Sequence, residues 1–311
     1  MNLDIFVVFS SLVGLFLLLG AGYAAVKLNA VPSSASPGFS ALLLKITLPC
    51  TIITSMLRPF DPSFLTDSVV IIAFSTALFL LNSLIAWPLS KLFHVKEGSR
   101  GVWSLIATFC NNGFMGFPVA FALFGDEGLA LAAMINIPFN LLLYSLGVRL
   151  MCRDIPGRDK KKSSLRKVII TPINIAVLLG LLFYLTQVSI PALILTPLQY
   201  LSNITTPLSM FVTGMALAAV KIREVLDWDT ISLTVVRLLF MPGLAWVMIQ
   251  FIPFSNPLIP SVALIILAMP APGISVSLAE TYGGNRDLAA KATFLTSLLC
   301  ILTIPLFAIL L

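Results

Sequence analysis

The sequence predicts an all-α integral membrane protein of ten transmembrane helices, and three observations lead there. Charge is scarce: 10% of the 311 residues are Asp, Glu, Lys or Arg, against 59% hydrophobic ones, where a soluble domain carries roughly 25% charge. The apolar runs continue for about 20 positions at a time, the length that carries an α-helix across hydrocarbon, whereas transmembrane strands alternate over about 10. Twenty prolines in so apolar a chain fit kinked or interrupted membrane helices, whose freed backbone groups are re-satisfied by neighbours.

The spans fall at about 5–26, 39–57, 68–93, 101–124 and 129–151, then at about 172–187, 198–220, 231–252, 258–282 and 288–311. No basic residue precedes the first run, and the run is too long for the core of a secretory signal, so it is a first membrane helix. A Pro/Ser-rich linker, Pro32 to Pro37, follows it; Arg58-Pro59-Phe60-Asp61-Pro62 and Gly125-Asp126-Glu127-Gly128 are turns. The longest polar stretch, 153–167, carries Arg158, Lys160, Lys161, Lys162, Arg166 and Lys167. It divides the chain into a first five-span unit (1–152), a basic loop (153–170) and a second five-span unit (171–311).

The formal net charge of +6 sits in these loops. It therefore sets topology and argues for no nucleic acid. With the basic loop in the cytoplasm, Lys27, Lys91, Lys96, Arg100, Lys221, Arg223, Arg286 and Lys291 all fall on the same side; Lys45, Arg58 and Arg237 do not. Both termini then lie outside, in a multi-pass protein of a bacterial inner membrane. The four cysteines, Cys50, Cys110, Cys152 and Cys300, are scattered without metal-ligand spacing and read as small core residues. His94, beside Lys91 and Lys96, reads as an interfacial loop residue.

The fourth span holds the stretch around which the rest is organised, Cys110-Asn111-Asn112-Gly113-Phe114-Met115-Gly116-Phe117-Pro118. Asn competes for backbone hydrogen bonds, and Gly and Pro cost about 1 and about 3 kcal/mol against Ala in a helix. A broken helix survives in a membrane only where its freed groups are buried in protein or line a wet cavity. The ninth span has a second break, Met269-Pro270-Ala271-Pro272-Gly273. The halves align to within one residue of a single register: Ile46-Thr47-Leu48-Pro49 on Thr205-Thr206-Pro207, Gly125-Asp126-Glu127-Gly128 on Gly284-Asn285-Arg286-Asp287, and Asn111-Asn112-Gly113 on Pro270-Ala271-Pro272. Five spans per half invert the second copy. Matched breaks in inverted halves point to a secondary-transporter site; the competing reading is two unrelated proline kinks.

Phe109 to Pro118 followed by Leu-Phe-Gly-Asp-Glu-Gly resembles the fourth-helix signature of the auxin efflux carrier family in its bacterial form. Pro270-Ala271-Pro272 with Leu278-Ala279-Glu280-Thr281-Tyr282-Gly283-Gly284-Asn285 resembles the matching second-half motif, and Leu48-Pro49 and the ten-span length agree. The resemblance covers essentially the whole chain. It implies two inverted five-helix repeats, similar to sodium–proton antiporters and bile-acid symporters, with helices four and nine crossing at mid-membrane. Helices one, two, six and seven would form a scaffold, often the platform of a homodimer, and helices three to five and eight to ten a moving transport domain. Family members export or exchange organic anions, auxin in plants and small carboxylates such as malonate or malate in bacteria, without ATP. This chain departs in one respect: Pro-Ala-Pro-Gly-Ile-Ser lacks an amide to mirror Asn111.

At such a crossing, half-helix N-termini favour anions and freed carbonyls favour cations. Asn111 and Asn112 can read a carboxylate without a fixed charge. Gly113 and Gly116 permit close backbone approach, Pro118, Pro270 and Pro272 keep the breaks broken, and Ala271 and Gly273 complete the second break. Lys45, inside the second span, is either a carboxylate partner, a titrating group or a side chain snorkelling to the inner interface; Glu280 is a candidate ion-pair partner for it. Arg237 is expected to snorkel or to pair with Asp227 or Asp229. Asn136 and Asn140 share a helix face and either line the cavity behind the break or bond between helices.

The resulting expectation is a secondary-active carrier of a small organic anion, by alternating access, with the lipid bilayer as its surroundings. No cofactor is expected, and coupling to protons or sodium stays open. No intramembrane Asp pair is present in spans four, five and ten, which disfavours a sodium–proton exchanger; a sodium site built from carbonyls and the hydroxyls of Thr108, Ser275, Ser277, Thr293 and Thr296 remains a candidate. The rivals are a sodium-coupled symporter of the bile-acid type and a channel or membrane sensor. An intramembrane enzyme would need Ser/Lys, HExxH or paired-Asp motifs inside spans, and none is found.

Overall fold

The computed structural model describes residues 5–155, 171–218 and 225–311, and all regular structure among them is helical. The basic loop from 156 on, with Lys221 and Arg223, lies outside the described residues. Six helical runs among the described residues are long and apolar enough to cross a membrane. One of them, Arg100–Asp154, is 55 residues long and contains both the fourth and the fifth expected spans. They are separated by Gly125, whose φ of 65° and ψ of −157° break the helix, a conformation glycine adopts without a Cβ penalty. The sixth and ninth expected spans hold shorter apolar helices, of 15 and 10 residues.

The first half contains α1 (Ile5–Lys27), α2 (Ser36–Leu42), α3 (Leu48–Ser55), α4 (Pro62–Leu92), α5 (Arg100–Thr108), α6 (Phe117–Leu142) and α7 (Val148–Met151). The second contains α8 (Pro172–Thr186), α9 (Ala192–Ala218), α10 (Trp228–Val235), α11 (Met241–Phe251), α12 (Leu258–Leu267), α13 (Ser275–Tyr282) and α14 (Arg286–Ile309). Side-chain caps start several of them. Asp61, Thr171, Asp227 and Asn285 each accept a hydrogen bond from a backbone N–H in the first turn of α4, α8, α10 and α14, as short polar side chains do at helix N-termini.

Among the described residues four π-helical turns join pairs of helices: Leu43–Thr47, Asn112–Gly116, Leu143–Gly147 and Val236–Phe240. Three end two residues before a proline, Pro49, Pro118 and Pro242. The physical reason is local. A proline lacks its N–H, and its ring collides with the carbonyl four residues back. Widening the preceding turn relieves the collision, and the residue before the proline donates five residues back instead: Leu48 to Leu43, Phe117 to Asn112, Met241 to Val236.

α1 lies against α9 at very short range. A Cβ at Gly22 would stand 2.0 Å from the Phe211 carbonyl oxygen, and one at Gly214 would stand 1.9 Å from that of Leu19. Small residues at such a contact let backbones approach where no hydrophobic force drives helices together. α3 packs on α8 and α9, and Thr51 Oγ1 donates to Thr205 Oγ1 at 2.6 Å. α4 packs on α5 and α6, and α12 on α6. The buried centre is α5 and α12 with the chain that follows each of them, while Leu17, Leu178, Leu193 and Leu302 point outward.

Candidate functional site

The two expected breaks meet. After α5 the chain is extended at Phe109 (φ −104°, ψ 148°) and resumes as a π turn after Asn111. After α12 it is irregular until α13 begins at Ser275. The Asn111 N–H donates to the Pro270 carbonyl at 2.8 Å, and the Ala271 N–H donates to Thr296 Oγ1 on α14 at 3.1 Å. Each break thus satisfies backbone groups that hydrocarbon would leave bare. Phe109 is wedged between Phe79 and Phe139, with ring centroids 5.6 and 5.8 Å away.

Beside this meeting point is a cavity of about 260 Å³. Asn111, Asn112, Gly113 and Phe114 line it from the first break; Pro272, Gly273 and Ile274 from the second; Leu44 and Lys45 from the first π turn; Asn136, Phe139, Asn140 and Tyr144 from α6 and the turn after it; Thr171, Pro172 and Ile173 from the start of α8. Of the residues singled out in the sequence, Lys45, Asn111, Asn112, Gly113, Asn136, Asn140, Pro272 and Gly273 reach it.

Gly116, Pro118, Pro270 and Ala271 do not reach it and shape the walls instead. Pro270 supplies the carbonyl that Asn111 needs, and Ala271 is anchored by Thr296. Pro118 is buried in the first turn of α6. A Cβ on Gly116 would lie 2.9 Å from Ile266 Cδ1 and 3.3 Å from the Asn111 carbonyl oxygen. Close approach therefore holds for Gly116 but not for Gly113, where a Cβ would meet Leu44 alone, at 3.9 Å. Gly113 keeps space open in the cavity wall.

The asparagines form a chain. Asn112 Nδ2 donates to Asn136 Oδ1 at 3.1 Å, and Asn136 Nδ2 and Asn140 Nδ2 both donate to Asn174 Oδ1, at 3.3 and 3.2 Å. Asn136 and Asn140 thus do both things their shared face allowed. Asn112 Oδ1 is buried and has no partner among the described residues. Asn111 Oδ1 accepts from the Phe114 N–H at 3.2 Å, capping the π turn. Lys45 lines the cavity, and among the described residues no carboxylate pairs with it. Glu280 does not reach Lys45; it pairs with Arg286 at 2.6 Å at the helix end where both are exposed.

Arg237 corrects the sequence reading most. It neither snorkels nor pairs with Asp227 or Asp229; its side chain is fully buried. Its guanidinium donates to the carbonyls of Ala107 (3.0 Å), Thr108 (3.4 Å) and Met269 (3.2 Å), and to that of Leu267. The π turn Val236–Phe240 carries it inward, away from the interface two turns below. Asp227 instead takes Lys291, at 3.4 Å.

Four of the five hydroxyls considered for a sodium site already donate to backbone carbonyls. Thr108, Thr293 and Thr296 each donate four residues back, to Ser104, Ala289 and Ala292, and Ser275 donates to Pro272. Ser277 is exposed. Among the described residues no group of three His, Cys, Asp or Glu is placed to hold a metal ion.

Sequence reasoning did not single out Asn174, Tyr144 or the Thr171 cap as part of this site. The Thr171-Pro172 pair is a helix-start signal, with Pro in the first turn, and it places Asn174 one turn in. Nothing in the sequence says that this helix end meets the first break.

A family model described as membrane transport protein matches residues 7–308 of the chain. An uncharacterized transporter of Methanocaldococcus jannaschii is 28% identical, over 86% of each chain. One of Methanothermobacter thermautotrophicus is 28% identical over 93% of this chain and 94% of its own. The uncharacterized transporter YfdV of Escherichia coli is 25% identical over 71% of each. With its apolar helical spans and a family match over nearly its full length, the chain is a multi-pass membrane transporter, not an enzyme, and belongs to the membrane transport protein family of the auxin efflux carriers.

Proposed function

We propose that this transporter is a secondary-active carrier of a small organic anion, a carboxylate, working by alternating access around the cavity at the two breaks. The observation that supports it is the sign of the charge presented to the cavity. The starts of the second halves of both broken helices, at Gly113 and Phe114 and at Gly273 and Ile274, face it. Each helix start carries about half a positive charge. Lys45 adds a cation with no partner among the described residues, and the walls contribute amides but no carboxylate. A volume of about 260 Å³ suits a molecule of a few carbons, since an engineered cavity of about 150 Å³ admits benzene.

In this reading the ten spans form two inverted five-helix repeats, with α5–α6 and α12–α13 as the crossing helices. α1, α2–α3, α8 and α9, which pack on one another, form a scaffold and homodimer platform. The remainder moves against it. The protein sits in a bacterial inner membrane with both termini outside, an orientation supported by the concentration of Lys and Arg in alternate loops.

The test is counterflow of labelled malonate and of a panel of mono- and dicarboxylates into proteoliposomes. Saturable exchange is expected for at least one, with a KM raised tenfold or more, about 1.4 kcal/mol, in Lys45→Ala. A protein that moves no carboxylate would remove the anion assignment. The sodium-coupled symporter, the alternative reading, requires uptake to collapse when sodium is replaced by choline.

A further inference from the structure

Arg237 is the most deeply buried charged side chain among the described residues, and neither the cavity nor the anion reading uses it. It is fully buried, and among the described residues no carboxylate lies within ion-pair distance. An arginine keeps its proton in proteins, so the charge is not shed. What faces it is a cage of four carbonyls: Ala107 and Thr108 at the C-terminal end of α5, Leu267 and Met269 at the C-terminal end of α12. These are the first halves of the two broken helices. Each such end is equivalent to about half a negative charge, so the two together offset one guanidinium. The planar fork suits carbonyls arriving from two directions, which a lysine point charge would not span.

Freed carbonyls at half-helix C-termini are the groups that coordinate sodium in broken-helix transporters. Here a side chain of the protein already fills that place. We propose that Arg237 is a resident cation, held in the position a coupling cation would occupy, and that this carrier therefore needs no sodium. The functional consequence rests on the carrier reading; the occupancy of the cage does not. With the C-terminal ends neutralised by Arg237, the N-terminal ends facing the cavity keep an uncompensated positive field for an anion. The same guanidinium ties α5 to α12, so the two breaks are held by it as well as by the Asn111 to Pro270 hydrogen bond.

Thermal unfolding of the purified full chain tests this without knowledge of the substrate. Wild-type protein is expected to have the same midpoint in sodium chloride and in choline chloride at equal ionic strength; a sodium-specific rise overturns the proposal. Arg237→Gln empties the cage. Its midpoint in choline should fall by on the order of 10 °C, and millimolar guanidinium or sodium, at concentrations too low to denature, should restore part of the loss. Wild-type stability retained by Arg237→Gln, or a loss that neither cation restores, overturns the proposal. Arg237→Lys keeps the charge and is expected to lie between the two; a midpoint no higher than that of Arg237→Gln would show that charge is not what the cage requires. Should the Gln variant fail to fold, the wild-type comparison and the Lys variant still decide. Carboxylate counterflow is scored separately: its failure removes the anion carrier and leaves the cation arms standing, while a sodium-dependent midpoint removes the resident cation and leaves the carrier.

Discussion

At Asn111 and Asn112, two neighbours of the same chemistry do different work. Asn111 caps the π turn through Oδ1, and its Nδ2 has no acceptor among the described residues although the residue lines the cavity. Asn112 gives its Nδ2 to Asn136 and leaves Oδ1 buried without a partner among the described residues. Asn111→Ala is therefore expected to cost about 1 kcal/mol for the lost cap and to abolish counterflow while the protein still purifies as a folded species. Near-normal transport by that variant would take the substrate away from this break. Asn111, Asn112 and Lys45 were legible in the sequence because polar groups inside a hydrocarbon span are costly and need a reason. Arg237 is legible by the same rule, but its destination is not. Distance along the helix suggested the nearer interface; the cage that receives it is built by residues about 30 and about 130 positions away, and no local pattern encodes that.

At the level of single elements, the recurring device among the described residues is the π turn, set up by a proline in three of its four occurrences. Three of the four π turns carry site residues onto the cavity wall: Leu44 and Lys45, Asn112 to Phe114, Leu143 and Tyr144. The fourth carries Arg237 into its cage. Restoring a regular helix removes one residue from a turn and rotates what precedes it by about 100°. Pro49→Ala is accordingly expected to leave the unfolding midpoint unchanged or higher, since the missing N–H returns, and to raise KM as Lys45→Ala does. An unaltered KM would mean that the π turn does not depend on the proline. The two glycines of the first break also separate here. Gly116→Ala should lower stability by about 1–3 kcal/mol through overpacking against Ile266. Gly113→Ala should leave stability within about 0.5 kcal/mol and weaken substrate binding, because the methyl group enters the cavity. Thermal unfolding and counterflow on the pair read the two effects independently.

Across the whole molecule, the cavity lies where the breaks, the α2–α3 turn, α6 and the start of α8 come together. The amide chain from Asn112 through Asn136 to Asn174 crosses from the first half of the sequence to the second. A ligand bound there and not to the unfolded chain raises stability by mass action, about 2.7 kcal/mol at a hundredfold excess over Kd. The midpoint should then rise by roughly 4 °C with a transported carboxylate and not with a matched amine; equal shifts with both would argue that the cavity does not select charge.

The sequence by itself determined the class of the molecule, the positions of both helix breaks and the placing of most basic residues between the apolar runs. All of these depend on properties local to the chain: unbroken apolar length, the backbone chemistry of Gly, Pro and Asn, and charges that cannot enter hydrocarbon. Tertiary structure decided which residues share a wall. It brought Thr171 and Asn174 to the first break, sent Glu280 to Arg286 instead of Lys45, and buried Arg237 between the C-terminal ends of α5 and α12. The reason is that helix–helix packing in a membrane is set by shape and by hydrogen bonds between distant segments, and a linear pattern of apolar residues carries no record of which partner each face meets.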